Sequence, residues 1–94
     1  NDGKIDFNNK TKEIYNLIRA VTKPFPGAFC YKIDELIYLW DAKPFDKLLD
    51  FSKFKNGEII DLLDNFPIVK TSDGSLIIYN YEAKKKLNIG DILS

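Results

Sequence analysis

Residues 14–29 read IYNLIRAVTKPFPGAF, and this stretch decides the fold. Ile14, Leu17, Ile18 and Val21 fall at i, i+3, i+4 and i+7, which places four apolar side chains on one stripe of a helix. Arg19 stands near the C-terminal end of that helix, where a cation complements the backbone dipole. Pro24 and Pro26 stop it, because proline has no N–H for the ladder and pushes its predecessor out of helical geometry. A helix over residues 8–22 is therefore predicted, with Asn8, Asn9 or Thr11 available to cap its first turn. Beyond Gly27 the period shortens and β-formers take over.

Working outward, residues 1–7 are polar apart from Ile5 and Phe7, and they contain the turn dipeptide Asp2-Gly3. They read as a lead-in. Downstream, 29–33 and 36–42 form two apolar runs separated by Asp34-Glu35, a predicted hairpin. Leu36 to Trp40 shows little alternation, so both faces of that strand are expected to be covered. Residues 57–62 and 67–71 make two further strands, and Asp73-Gly74 marks a tight turn into 75–82. Residues 44–56 fit a loop or a short helix. One helix and five short strands leave no second crossover helix, so a parallel sheet is excluded. The predicted class is mostly β with one N-terminal helix, in a small five-stranded antiparallel OB-like Greek-key barrel whose closure hides its strand edges. An open sheet with one helix is the alternative. The expected organisation is a junction at 1–7 and a domain at 8–94, comprising helix 8–22, barrel 28–83 and a tail at 84–94.

Ninety-four residues make one small domain, and 45% apolar residues with seven Phe, five Tyr and one Trp suffice for a core. Fourteen basic side chains balance fourteen acidic ones, so no net field draws the chain to nucleic acid or to an anionic membrane. No apolar run reaches membrane-spanning length, and a single Cys cannot make an internal disulfide, which points to the cytoplasm. The absence of His closes Ser-His and Cys-His nucleophile pairs and His-ligated zinc. The absence of Met, at position 1 as elsewhere, is read as the mark of an excised fragment.

Individual residues favour bland roles. Cys30 lies between Phe29 and Tyr31 without a base to activate it and reads as a small buried side chain. Asp34-Glu35 reads as a solvated turn, and Asp61 with Asp64 lacks the further oxygens of a calcium loop. Lys84, Lys85 and Lys86 follow Tyr79 and Tyr81 and mimic the cation-plus-ring chemistry of a single-strand binder, although a solvated strand end explains them as well. Trp40 is read as packing.

The segment I-R-A-V-T-K-P-F-P-G-A-F, from Ile18 to Phe29, resembles the start of the C-terminal domain of the formyltransferase family. That family includes methionyl-tRNA formyltransferase, the sugar N-formyltransferases and the formyltransferase half of the bacterial enzyme that modifies 4-amino-arabinose on its uridine carrier. Asp2 to Phe7 is similar to the family's D-G-x-I-D-W/F junction. Leu36 to Ala42 resembles its K-L-x-I-W-x-A strand, Gly57-Glu58-Ile59 its G-x-I strand, and Thr71 to Leu76 its T-x-D-G-x-L hairpin. The resemblance implies transfer of a formyl group from 10-formyltetrahydrofolate to an amine, by an Asn, a His and an Asp in an N-terminal domain that these residues do not match. It therefore implies an accessory module, inactive alone, with no cofactor of its own and the catalytic domain of the same parent chain as its partner. A second copy of the chain is a further candidate partner. Arg19, Phe25, Pro26 and Gly27 become candidate domain-interface or acceptor contacts. The run from Val21 to Phe29, where the tRNA branch usually has N-P-W-P-G-A, together with zero net charge, resembles the nucleotide-sugar branch more than the tRNA branch, and Phe25 replaces the more common tryptophan. The rival expectation is a free-standing OB-like module for single-stranded nucleic acid.

Overall fold

Side-chain alternation along the strands builds the core. In the computed structural model, which describes residues 3–22, 26–45 and 53–94, the chain forms α1 (Thr11–Ala20), β1 (Ala28–Lys32), β2 (Glu35–Pro44), β3 (Ile59–Leu63), β4 (Phe66–Lys70) and β5 (Ser75–Glu82). The strands make one antiparallel sheet in the order β1-β2-β5-β4-β3. Ala28, Cys30, Ile37 and Leu39 point inward with Ile59, Val69, Leu76 and Ile78, and all are buried. Ile14 and Ile18 of α1 close over them, flanked by Leu17 and Val21, the stripe read from the sequence. Burying each such aliphatic side chain contributes about 1.5–3 kcal/mol against the entropy of ordering the chain.

The helix is shorter than the predicted 8–22, and its cap comes from elsewhere. Asp6 accepts the Asn8 N–H at 2.9 Å and makes a turn of residues 6–9, while the Asn8 side chain accepts from Asn56 at 3.0 Å. Asn8 is thus committed, Asn9 lies in the same turn with its N–H bonded to the Asp6 carbonyl at 3.0 Å, and Lys10 holds the position before the first helical residue. Asp73, in the β4–β5 connection, supplies the cap: its Oδ1 accepts the Thr11 N–H at 2.8 Å and the Thr11 hydroxyl at 3.0 Å. Thr71 bonds the same hydroxyl at 2.5 Å and, with the Thr11 proton given to Asp73, acts as its donor. The Thr11 N–H and hydroxyl hold the Asp73 carboxyl below its usual range, the backbone N–H most strongly. This contribution is present above the ordinary carboxylate pKa and is lost as pH falls through the depressed folded value. Asp73→Ala is expected to cost about 1–2 kcal/mol in urea unfolding at neutral pH, a deficit that shrinks as pH falls below the ordinary carboxylate pKa and through the depressed folded one, where wild type loses the charge as well.

Two further expectations are corrected. The strand at 36–42 is not covered on both faces: Ile37 and Leu39 are fully buried, whereas Leu36 is exposed and Tyr38 and Trp40 are half-exposed. Their rings cover one another, so aromatic content replaced polar residues on the outer face. The sheet also does not close by pairing its own edges. β1 and β3 stay apart, and the C-terminal residues run between them. Tyr31 and Ser94 exchange both backbone hydrogen bonds at 2.7 and 2.8 Å, while Gly90, Asp91 and Leu93 bond Ile59 and Gly57, each at 2.8 Å. Lys32 and Asp91 add an ion pair across the seam at 3.2 Å. Phe29, on the same edge of β1, bonds Gly3 and Ile5, and Ile5 and Phe7 join the core. Residues 4–7 and the tail are therefore integral to the domain's packing. Residues 44–56 are described only at 44–45 and 53–56; their loop-or-helix reading otherwise lies outside the described residues.

Candidate functional site

Two surfaces carry the residues singled out above, and they are separate. The first is a groove of about 550 Å³ between α1 and the strand ends, lined by Arg19, Tyr15, Lys12, Phe45 and Asp73 among others. The inward stripe of α1 fixes the helix, so Lys12, Tyr15, Asn16 and Arg19, themselves at i, i+3, i+4 and i+7, form an outward stripe along the groove. The Arg19 guanidinium lies 5.4 Å from the centre of the Tyr15 ring, a cation–π contact.

The second surface is the outer face of the β1–β2 hairpin. Tyr38 and Trp40 stack with centroids 5.5 Å apart and planes 17° from parallel, and Phe29 meets both Tyr31 and Tyr38 edge-on. Lys4 stands 6.0 Å over the Tyr31 ring, and the Trp40 indole donates to Glu82 at 3.3 Å. Gly27 is buried beneath this cluster with φ +100°, and a methyl group there would lie 2.6 Å from the Trp40 ring. Gly3 packs equally closely on Gly27, since its own added carbon would meet the Gly27 carbonyl at 2.6 Å. Gly3 and Gly27, one from each glycine-containing motif of the sequence, thus meet in space. Pro26 is exposed beside them, and Phe25 lies outside the described residues. The structure brings Gly27 to Trp40 but places Arg19 in the other feature.

The remaining candidates are structural. Cys30 is wholly buried; burial pushes its thiol up to about 12, with Lys4 opposing weakly, so it carries no thiolate at neutral pH. Glu35 accepts the Lys84 N–H at 2.6 Å, tying the β1–β2 turn to the end of β5. Asp61 accepts from the Leu62 N–H, and Asp64 sits with Asn65 at positive φ in the β3–β4 turn. Among the described residues no three His, Cys, Asp or Glu side chains gather as a metal set. No helix among them is long and apolar enough to cross a membrane.

Tyr79 and Tyr81 do not make a joint stacking platform. Register slips at Leu39/Asp41 and Asp41/Ala42 place an extra residue first on β2 and then on β5. Ile78 and Tyr81 consequently both face the core, and the Tyr81 hydroxyl accepts the Leu87 N–H at 3.0 Å. Tyr79 faces outward against Phe66, with ring centres 5.0 Å apart. Lys84 to Lys86 are exposed and lack the shared aromatic face that a single-strand binder requires.

The class defined by these features is a small antiparallel β-domain with one helix packed across it, its termini sewn into the sheet edges. The chain belongs to the family of the formyl transferase C-terminal domain, whose sequence model matches residues 1–94. It is 57% identical over 61 residues to the bifunctional polymyxin resistance protein ArnA of Wigglesworthia glossinidia brevipalpis, covering 64% of this chain and 9% of that one. It is 36% identical over a 96-residue alignment to the methionyl-tRNA formyltransferase of Fusobacterium nucleatum, covering 99% of this chain and 30% of that one. Among solved structures, HypX from Aquifex aeolicus in complex with tetrahydrofolic acid superposes with a TM-score of 0.70 at 25% identity, over 97% of this chain and 15% of its own. The chain thus spans less than a third of the length of each of these relatives.

Proposed function

We propose that this chain is the non-catalytic accessory domain of a longer, cytoplasmic formyltransferase that moves a formyl group from 10-formyltetrahydrofolate to an amine carried on a nucleotide sugar. The observation that carries the reading is the family match over residues 1–94. The protonated, buried Cys30 and the absence of His from the sequence agree with a chain that leaves acyl-transfer chemistry to another domain. The tetrahydrofolate named with HypX fits a folate donor for the longer protein, and no residue here is assigned to hold it. The higher identity to the ArnA segment favours the nucleotide sugar over tRNA, as does a neutral charge balance that offers few phosphate contacts.

The test offers the longer protein 10-formyltetrahydrofolate with either an amino-sugar nucleotide or charged methionyl-tRNA. The expected result is N-formylation of the sugar nucleotide at a kcat/KM at least about a hundredfold above that for tRNA, a difference of about 2.7 kcal/mol in transition-state binding. Efficient formylation of the tRNA instead would overturn the acceptor assignment.

A further inference from the structure

The outer face of the β1–β2 hairpin is apolar, where a sheet face left to water carries polar residues at alternate positions. Direct pairing of Phe29 with Tyr38 and of Tyr31 with Leu36 puts these four side chains on one side, and Trp40 joins them two residues beyond Tyr38. Ile37 and Leu39, between them, point into the core. Ile33, at the hairpin tip, is 86% exposed and holds φ 57°, a conformation that β-branched residues rarely adopt. Neither that exposure nor that strain serves the core. The six side chains expose on the order of 400 Å², an area that matches the largest apolar patch of an ordinary monomer. The rings are also fixed in advance: Tyr38 and Trp40 stack, the Trp40 indole is bonded to Glu82, and Gly27 fits closely against it.

Two observations choose the occupant. The first is chain direction. Lys4 pairs with Phe29 in parallel, and Gly3 packs on Gly27, so the described chain enters the domain at the Gly27 and Trp40 end of this face. The family is named for a C-terminal domain, and the chain spans less than a third of its relatives. The second is size. With an equal area from its partner the face would bury about 800 Å², within the range of interfaces between domains of one chain and below the roughly 1,200 Å² at which separate partners form specific, stable complexes. A covalent link supplies the effective concentration that so small an interface needs.

We infer that this face docks the domain preceding this one in the longer protein, with Tyr31, Leu36 and Tyr38 against an apolar patch of that domain and Trp40 beside the entering chain. The inference rests on the proposed reading of the chain as part of a longer protein, and adds the surface by which it meets its neighbour. Arg19, in the groove beside α1, lies outside that surface.

The test is hydroxyl-radical footprinting of the 94-residue chain and of the longer protein, with side-chain oxidation read by mass spectrometry. Tyr31, Leu36 and Tyr38 are expected to oxidise at least about fivefold more slowly in the longer protein, as side chains at the dry centre of an interface do. Leu63 and Phe66, exposed and beyond β5 in the sheet order, should change by less than about twofold and serve as controls. Leu36→Glu in the longer protein should return Tyr31 and Tyr38 to the rate seen in the chain alone. Leu36 is exposed, and an unchanged urea midpoint for the same variant of the 94-residue chain verifies its fold; the wild-type comparison stands without it. Equal oxidation of the face in the two proteins, or equal protection of Leu63 and Phe66, would overturn the proposal. Protection within the 94-residue chain that grows with its concentration would overturn it too, by assigning the face to a second copy. A protected face in a longer protein that formylates neither acceptor would uphold the interface and remove the reading of function. Formyl transfer with the face unprotected would remove the interface alone.

Discussion

Gly57→Ala is expected to lower stability by about 3 kcal/mol or more, and the thermal midpoint by more than about 12 °C. Gly57 has φ +91°, a conformation that penalises any Cβ, and the added carbon would stand against the backbone carbonyl of Leu93, too close for any side-chain rearrangement to relieve. Leu93 N–H donates to Gly57 at 2.8 Å, and Leu93 is itself in the core. The substitution therefore forces the tail off β3 and exposes the edge it covers. A chain shortened to residue 89 separates the causes. In that background the clash is gone, and Gly57→Ala should cost only the backbone term of about 1–2 kcal/mol. A full-length Gly57→Ala variant within about 1 kcal/mol of wild type would show that the tail does not hold the seam.

Gly27→Ala is the second large effect, with an expected loss of about 2–4 kcal/mol in urea unfolding. The residue combines φ +100° with a ring 2.6 Å from its missing side chain, and that ring is stacked on Tyr38 and bonded to Glu82. Trp40 is the chain's single tryptophan, so its displacement is read directly as a change in fluorescence maximum and intensity. In a Trp40→Leu background the same substitution should cost about 1–2 kcal/mol, the backbone term alone. An unchanged emission spectrum in Gly27→Ala would contradict the close packing of these two residues.

Local signals make much of this architecture legible without coordinates. The stripe Ile14, Leu17, Ile18, Val21 announces the helix because its period is fixed by helix geometry alone. The strands announce themselves because β-branched and aromatic runs are bounded by Asp34-Glu35 and Asp73-Gly74. What escapes is long-range. Asp73 caps a helix that begins at Thr11, and no local rule connects residues sixty-two apart. The tail's pairing with both sheet edges depends on where those edges come to rest. The paired bulges at Trp40 and Tyr79 shift inward-facing positions by one residue, so strict alternation wrongly places Tyr79 and Tyr81 together. The site is half visible: Arg19 stands out within the segment 18–29, whereas Lys12, Tyr15 and Asn16 belong to no motif and lie off the apolar stripe. Their own spacing is the signal that a second face exists.

The chain is a formyl transferase C-terminal domain held by its core and by hydrogen bonds along both edges of its sheet, and in the function proposed above formyl transfer is carried out by another domain. The direct measurement incubates the purified 94-residue chain with 10-formyltetrahydrofolate and an amino-sugar nucleotide, beside the longer protein under the same conditions, and follows formyl-amide product by mass spectrometry. The account predicts product from the longer protein and none above the uncatalysed rate from the chain alone. Turnover by the chain alone would contradict it.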